Sequence, residues 1–243
     1  MAVNESSSEN SSRNDNNGPP TLSITIPKIS ELKITTKKWE DVQLPIDIML
    51  LAVKDCEFLS CYCYLSDVFK SYTRALGFVT FGHIGRDEGK KLKVALFTCS
   101  EGGGEPGGAV IAVSKGVEIL QPKAVFCVGS CGALHRKKTQ LGDVVVSAKL
   151  TTYAQRKVTE NGVETLGFTT PVSRDISRVI LQAGFGWKAP LKNPEVREVK
   201  VHCSGEFLSG PEQVESAWRR DELVRLYPNA IAVEMDGDGM YPS

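Results

Sequence analysis

Five short stretches of the chain carry residues whose type and spacing can do chemistry, and most of them follow an apolar run. Lys54-Asp55-Cys56-Glu57 follows the run at 46–53. A carboxylate there can take a proton from water, or it can simply open a helix, where the dipole favours Asp and Glu. Residues 101–108 read EGGGEPGG. Glycines let the backbone approach a ligand closely, and N–H groups at a helix start hold anions. Gly102, Gly104 and Gly107 match Gly-x-Gly-x-x-Gly, but no Gly-Lys-Ser/Thr follows, so this is not a P-loop and an ordinary strand-to-helix turn stays open. Gly129-Ser130-Cys131-Gly132 offers a hydroxyl in a small loop, suited to phosphate or a nucleophilic water, and does not form Gly-x-Ser-x-Gly. Residues 205–211 place Phe207 and Leu208 in a glycine-bounded loop, suited to a flat apolar ligand or to covering the core. In Glu234-Met235-Asp236-Gly237-Asp238, acidic groups follow a buried strand, where they can accept hydrogen bonds from sugar hydroxyls. A metal-binding loop is the rival reading, although calcium-loop spacing is missing.

The elements that must position these stretches alternate. Apolar runs at 46–53, 78–81, 92–97, 124–128, 144–147, 199–203 and 231–235 predict strands. Helical spacing predicts helices over 57–69, 109–120, 173–183 and 211–227. Residues 85–89 read as a turn. This alternation predicts an α/β fold with a parallel or mixed sheet covered on both faces, and ligands beyond the carboxyl ends of its strands. Residues 1–20 are too polar to offset the entropy of ordering and read as a disordered tail. Residues 21–38 alternate partly and fit either an edge strand or a linker. The expected division is a tail and linker over 1–44 and a folded domain over 45–243.

Composition narrows the partners. The 243 residues hold 29 Lys+Arg against 29 Asp+Glu, for zero formal charge, and 41% are hydrophobic. Binding to nucleic acid or a membrane surface calls for a basic excess, so neither is expected. No apolar run nears the roughly 20 residues of a membrane span. The N-terminus has no basic or apolar signal region, and a cytoplasmic location is expected. The seven cysteines then read as reduced thiols. No Cys-x2-Cys pair occurs and the three histidines are scattered, so no metal site is expected.

Taken in order, these stretches resemble the nucleoside phosphorylase and nucleosidase family, which includes uridine and purine nucleoside phosphorylases and methylthioadenosine/S-adenosylhomocysteine nucleosidase. The resemblance runs from about Ile46 to Tyr241. Its motifs are Val128-Gly129-Ser130-Cys131-Gly132-Ala133, Gly142-Asp143-Val144-Val145-Val146-Ser147, Leu208-Ser209-Gly210 and Ala230-Ile231-Ala232-Val233-Glu234-Met235-Asp236-Gly237. It implies a three-layer α/β/α sandwich with a mixed central sheet. It also implies cleavage of an N-glycosidic bond through a ribosyl-cation-like transition state, with phosphate as nucleophile in phosphorylases and water in nucleosidases.

Carried over position by position, the resemblance makes Glu57 the water-activating glutamate. Ser130, with Gly129 and Gly104, becomes part of the nucleophile or phosphate pocket. Phe207 and Leu208 become base-binding, and Glu234, Met235 and Asp236 ribose-binding. A small-molecule nucleoside, most simply a purine nucleoside, is the implied partner, with no cofactor beyond phosphate as a possible co-substrate. Self-association as a homodimer or larger is implied too. Three departures matter. Bacterial-type phosphorylases carry an arginine two residues before the Gly-Ser pair and another after the first strand; here Cys127 and residues 54–57 hold those places. Without guanidinium forks phosphate recognition is poor, which favours hydrolysis over phosphorolysis. Asp236 is one methylene shorter than the family's glutamate. Finally, family members continue into a strand ending in a proton-donating Ser/Thr-Asp pair and a last helix. The sequence stops at Ser243 ahead of both, so a domain lacking them is expected. That keeps a phosphorylase and a catalytically inactive nucleoside-binding module as alternative readings.

Overall fold

The computed structural model describes residues 20–85, 91–135, 138–160, 162–195 and 197–240. In chain order its elements are β1 (Thr35–Thr36), β2 (Ile48–Ala52), α1 (Asp55–Tyr62), β3 (Ser66–Thr73), β4 (Gly77–Ile84), β5 (Leu92–Thr98), α2 (Ala109–Leu120), β6 (Ala124–Cys127) and β7 (Gly132–Ala133). There follow β8 (Val144–Thr152), β9 (Arg156–Thr159), β10 (Gly162–Thr165), β11 (Thr169–Pro171), α3 (Arg174–Ile180), β12 (Val201–Ser209), α4 (Ala217–Leu226) and β13 (Ala230–Glu234). Two mixed sheets result. The first has the order β1-β3-β4-β5-β2-β6 and the second β11-β8-β12-β13-β7, with β9 and β10 as a separate hairpin.

β2 lies between β5 and β6, parallel to both, and its residues 49–52 are buried, as a central parallel strand requires. Its side chains alternate. Met49 and Leu51 join Val79, Phe81, Phe97 and Val113 under α2, while Leu50 joins Leu96 and Cys61 under α1. The first sheet is therefore sandwiched between helices, in keeping with the expected α/β class. α2 buries Ala109, Val113, Gly116 and Leu120, one stripe of a 3.6-residue period. In the second sheet β12 runs parallel to both β8 and β13, and Tyr153, Leu208, Leu223 and Val233 form a core beneath α4.

Several sequence expectations change. The helix over 57–69 ends at Tyr62, and Ser66 opens a strand whose Phe69 pairs with Phe81. The loop expected at 205–211 is strand as far as Ser209, because β8 and β13 pair with it from both sides. The helix expected from Pro211 starts at Ala217, where the Ser216 hydroxyl caps the N–H of Arg219. Of the expected tail and linker over 1–44, the structure describes residues 20–44. Residues 1–19 lie outside the described residues, as do 86–89 of the expected turn. Within 20–44, Thr35–Thr36 pair in parallel with β3, and Trp39 packs edge-on against Phe81 at 5.9 Å. The folded part thus reaches upstream of Pro45.

Candidate active site

The first chemical group stands where β2 gives way to α1. Glu57 is the third residue of α1 and folds back over its start. Its Oε2 accepts the N–H groups of Val53 (3.1 Å) and Lys54 (2.9 Å), and its Oε1 accepts the N–H of Ser130 (3.2 Å). One carboxylate thereby ties the end of β2 to the loop after its neighbour β6. An ionised carboxylate offers about four acceptor positions, so three backbone donors leave one for another proton donor.

The second and third groups meet across the two sheets. The glycine loop leaves β5, and the acidic turn leaves β13. Gly102 N–H donates to Asp236 Oδ1 (2.8 Å) and Gly103 N–H to the Met235 carbonyl (3.1 Å). Gly103 is buried against the Asp238 carboxylate, which a Cβ at that position would overlap. The turn has its own brace. Glu234 Oε2 accepts the N–H groups of Asp236 (2.8 Å) and Gly237 (2.7 Å), and Ser209 Oγ accepts that of Asp238 (2.8 Å).

Among the described residues, several carboxylates gather at these strand ends. Burial raises the Asp236 carboxyl above its ordinary value; the Gly102 N–H opposes this, Glu101 and Glu57 add to it, and Lys54 opposes. Burial likewise raises Glu234, while the neighbouring Ser209 hydroxyl and the two turn N–H groups counteract it. Lys54, half exposed, lies 4.0 Å from Glu101. Cys127, in the place of the phosphorylase arginine, is pushed well above its ordinary thiol value by burial and then by Asp236 and Glu234. It is therefore a neutral group and no substitute for a guanidinium. Among the described residues no group of three His, Cys, Asp or Glu is arranged to hold a metal ion.

The structure brings Glu57, Gly129 and Ser130 together, and joins Met235 and Asp236 to the glycine loop. Gly104 sits in that loop with open space around its Cα. Phe207 shares the face of β12 that carries Ser209, by the alternation of a strand. Leu208 points the other way, fully buried in the core under α4, so its side chain is closed to a base. The Glu234 carboxylate is closed over its own turn. Sequence reasoning missed the bracing by Ser209 and the contacts of Gly102 and Gly103. The motif Leu208-Ser209-Gly210 and the glycine run were the available signals. A cavity of about 620 Å³ lies beside this region, between β7, the start of β8 and α4, and Cys131 and Gly132 are among its lining residues.

Comparison with known proteins bears on this arrangement. The model of the phosphorylase superfamily matches residues 68–238. A death domain-containing ATP nucleosidase of Amphimedon queenslandica is 30% identical over 142 residues, 53% of this chain. The match spans only 26% of that relative. Among solved structures, a 5′-methylthioadenosine/S-adenosylhomocysteine nucleosidase from Neisseria meningitidis, bound to methylthio-immucillin-A, aligns with a TM-score of 0.59 at 19% identity, covering 80% of this chain and 78% of that one. The corresponding Colwellia psychrerythraea nucleosidase, bound to adenine, gives 0.60 at 18% identity over 81% and 75%. Helicobacter pylori futalosine hydrolase gives 0.54 at 17% identity over 80% and 76%. These structural likenesses establish the fold.

Proposed function

The chain belongs to the phosphorylase superfamily, and on that premise we propose that its strand-end site cleaves the N-glycosidic bond of a purine nucleoside with water as the nucleophile. The observation that carries this reading is the Glu57 carboxylate, held by three backbone N–H groups between the ends of β2 and β6 with one acceptor position left. In this reading Glu57 takes a proton from water as the water oxygen bonds to the anomeric carbon. The glycosidic bond breaks, and its electron pair leaves with the base, which takes a proton from solvent. The free oxygen of Asp236 accepts from a ribose hydroxyl, and Phe207 lies along the base.

Electrostatics supports water over phosphate. Among the described residues Glu57, Glu101, Glu234 and Asp236 lie at the strand ends, and Lys54, the cation that acts on Asp236, is already drawn to Glu101. Two unit charges at 4 Å interact by about 1–4 kcal/mol at effective dielectrics of about 80–20, enough to weaken binding of an oxyanion. The nucleosidases among the relatives, and adenine in one of the solved structures, favour hydrolysis and a purine.

The test is release of free base from adenosine, methylthioadenosine, inosine and ATP by the full chain, with and without phosphate. Release should not depend on phosphate. Glu57→Gln keeps an amide oxygen for Val53 and Lys54 but turns its NH2 toward the Ser130 N–H; it should lose about 10²–10⁴-fold in rate, and a thermal melt separates that loss from unfolding. Base released only with phosphate, together with ribose 1-phosphate, would establish the phosphorylase instead. Nucleoside bound calorimetrically without any base released would point to a binding module.

A further inference from the structure

Glu234 sits within the motif whose resemblance makes it ribose-binding, yet its carboxylate is engaged elsewhere. Oε2 accepts the N–H groups of Asp236 and Gly237, and Oε1 is shut off from solvent. Gly237 is compatible with this only as glycine, because a Cβ there would come within 2.5 Å of Glu234 Oε1 and of Leu150 Cδ1. Ser209 is wholly buried, pairs in register with Glu234 across β12 and β13, and accepts the N–H of Asp238. Three consecutive N–H groups of the acidic turn, at 236, 237 and 238, therefore end on two side chains from beneath. From the other sheet the glycine loop grips the same turn, at Met235 O and Asp236 Oδ1.

We propose that Glu234 and Ser209 are positioning residues that hold the acidic turn so that the second carboxylate oxygen of Asp236 is presented to the ribose, and that Glu234 itself does not touch the sugar. This rests on the reading of Asp236 as the ribose-binding carboxylate. Asp236 has one oxygen fixed by a backbone N–H and its own backbone fixed by Glu234, so it lacks the freedom a longer carboxylate would use to find the hydroxyl. A single presented oxygen works only while the turn is held.

The experiment compares ribose-bearing with hydroxyl-deficient ligands. Adenosine is paired with 2′,3′-dideoxyadenosine, and ATP with 2′,3′-dideoxy-ATP. Binding is read by calorimetry and turnover by base release, for the full chain and for Asp236→Asn, Glu234→Gln, Glu234→Ala and Ser209→Ala. Asp236→Asn should lower the preference for the ribose-bearing partner about tenfold, the loss of one charge-assisted hydrogen bond. Glu234→Ala should lower the same preference by a similar factor, mostly through KM, and Ser209→Ala by less. Glu234→Gln, whose amide oxygen still accepts both N–H groups, should restore most of it. A Glu234→Ala protein whose affinity for both members of each pair falls equally, leaving the preference unchanged, overturns the positioning role while leaving the site intact. A fall that Gln fails to rescue means the charge itself meets the sugar, and overturns it too. If the unaltered chain shows no preference for the ribose-bearing partner, the reading of Asp236 fails and the proposal falls with it.

Discussion

Asp238 shows what the acidic turn costs the folded chain. Its Oδ1 is shut off from solvent without a hydrogen-bond partner, against buried Gly103. Burial raises its carboxyl above the ordinary carboxylate range, with the Gly239 N–H opposing and Asp236 adding. The linkage has a definite sign. Below the unfolded value both states are protonated and nothing is lost. As pH rises past it, the unfolded chain ionises more readily than the folded one, and stability declines until the folded carboxyl has ionised as well. Asp238→Asn removes the ionisation and keeps the shape. Its melting temperature should converge on that of the unaltered chain as pH falls below the ordinary aspartate value and exceed it at pH 7. Thermal melts across that range check this; a gap that does not widen with pH would mean the burial cost is met elsewhere. Glu234 and Asp236 are raised for the same first reason, so the turn as a whole favours mildly acidic conditions.

The glycine loop and the acidic turn work as a pair of elements, and Gly103 is where they come closest. A methyl group at 103 would fall on the Asp238 carboxylate, while the Gly103 N–H must still reach Met235 O. Gly103→Ala should destabilise by about 1–3 kcal/mol, the usual cost of overpacking, and should weaken nucleoside binding because Met235 and Asp236 move with the turn. Gly104, one residue on, has open space and no left-handed φ, so Gly104→Ala should leave stability within about 0.5 kcal/mol. Chemical denaturation of the two variants checks the contrast. Elements of this kind were partly legible in the sequence. The stripe at 109, 113, 116 and 120 and the apolar run of β2 follow from local period alone. The strand at Ser66–Thr73 was not legible, because the pairing of Phe69 with Phe81 overrides helical spacing carried on from α1. Phe207 and Leu208 were read as loop because the glycine at 205 suggests a turn, whereas that glycine is needed for Ile231 and Val145 to pack against the strand. Candidate site positions were legible as motifs. The division of labour within them was not, since Glu234 meets Ser209 only once β12 lies beside β13.

On the scale of the whole molecule, each sheet has its own core, and the two sheets meet at the site. The first sheet carries a further piece that composition alone leaves ambiguous, the strap over residues 35–42. Its backbone joins the sheet through β1 and through the Lys37 N–H on the Lys70 carbonyl, and Ser71 Oγ donates back to the Lys37 carbonyl. Its side chains lie on aromatic rings: the Lys37 ammonium is 4.0 Å from the Phe69 ring centre, and Trp39 meets Phe81 edge-on. Trp39 and Val42 pack against the buried cluster that includes Met49 and Leu51, so the strap closes the core beneath β2. None of these contacts involves a residue of the strand-end site, so stability and function should separate here. Trp39→Ala, at a half-buried position, should cost about 2–3 kcal/mol, less than the 3–5 of a fully buried tryptophan. Well below its lowered melting temperature the variant should keep the KM and kcat of the unaltered chain in the proposed nucleoside cleavage. Denaturation and kinetics on one preparation decide it. A Trp39→Ala protein of near-normal stability would make the strap an ornament of the sheet, and one with altered KM would show that the core beneath β2 sets the placement of Glu57 at its end.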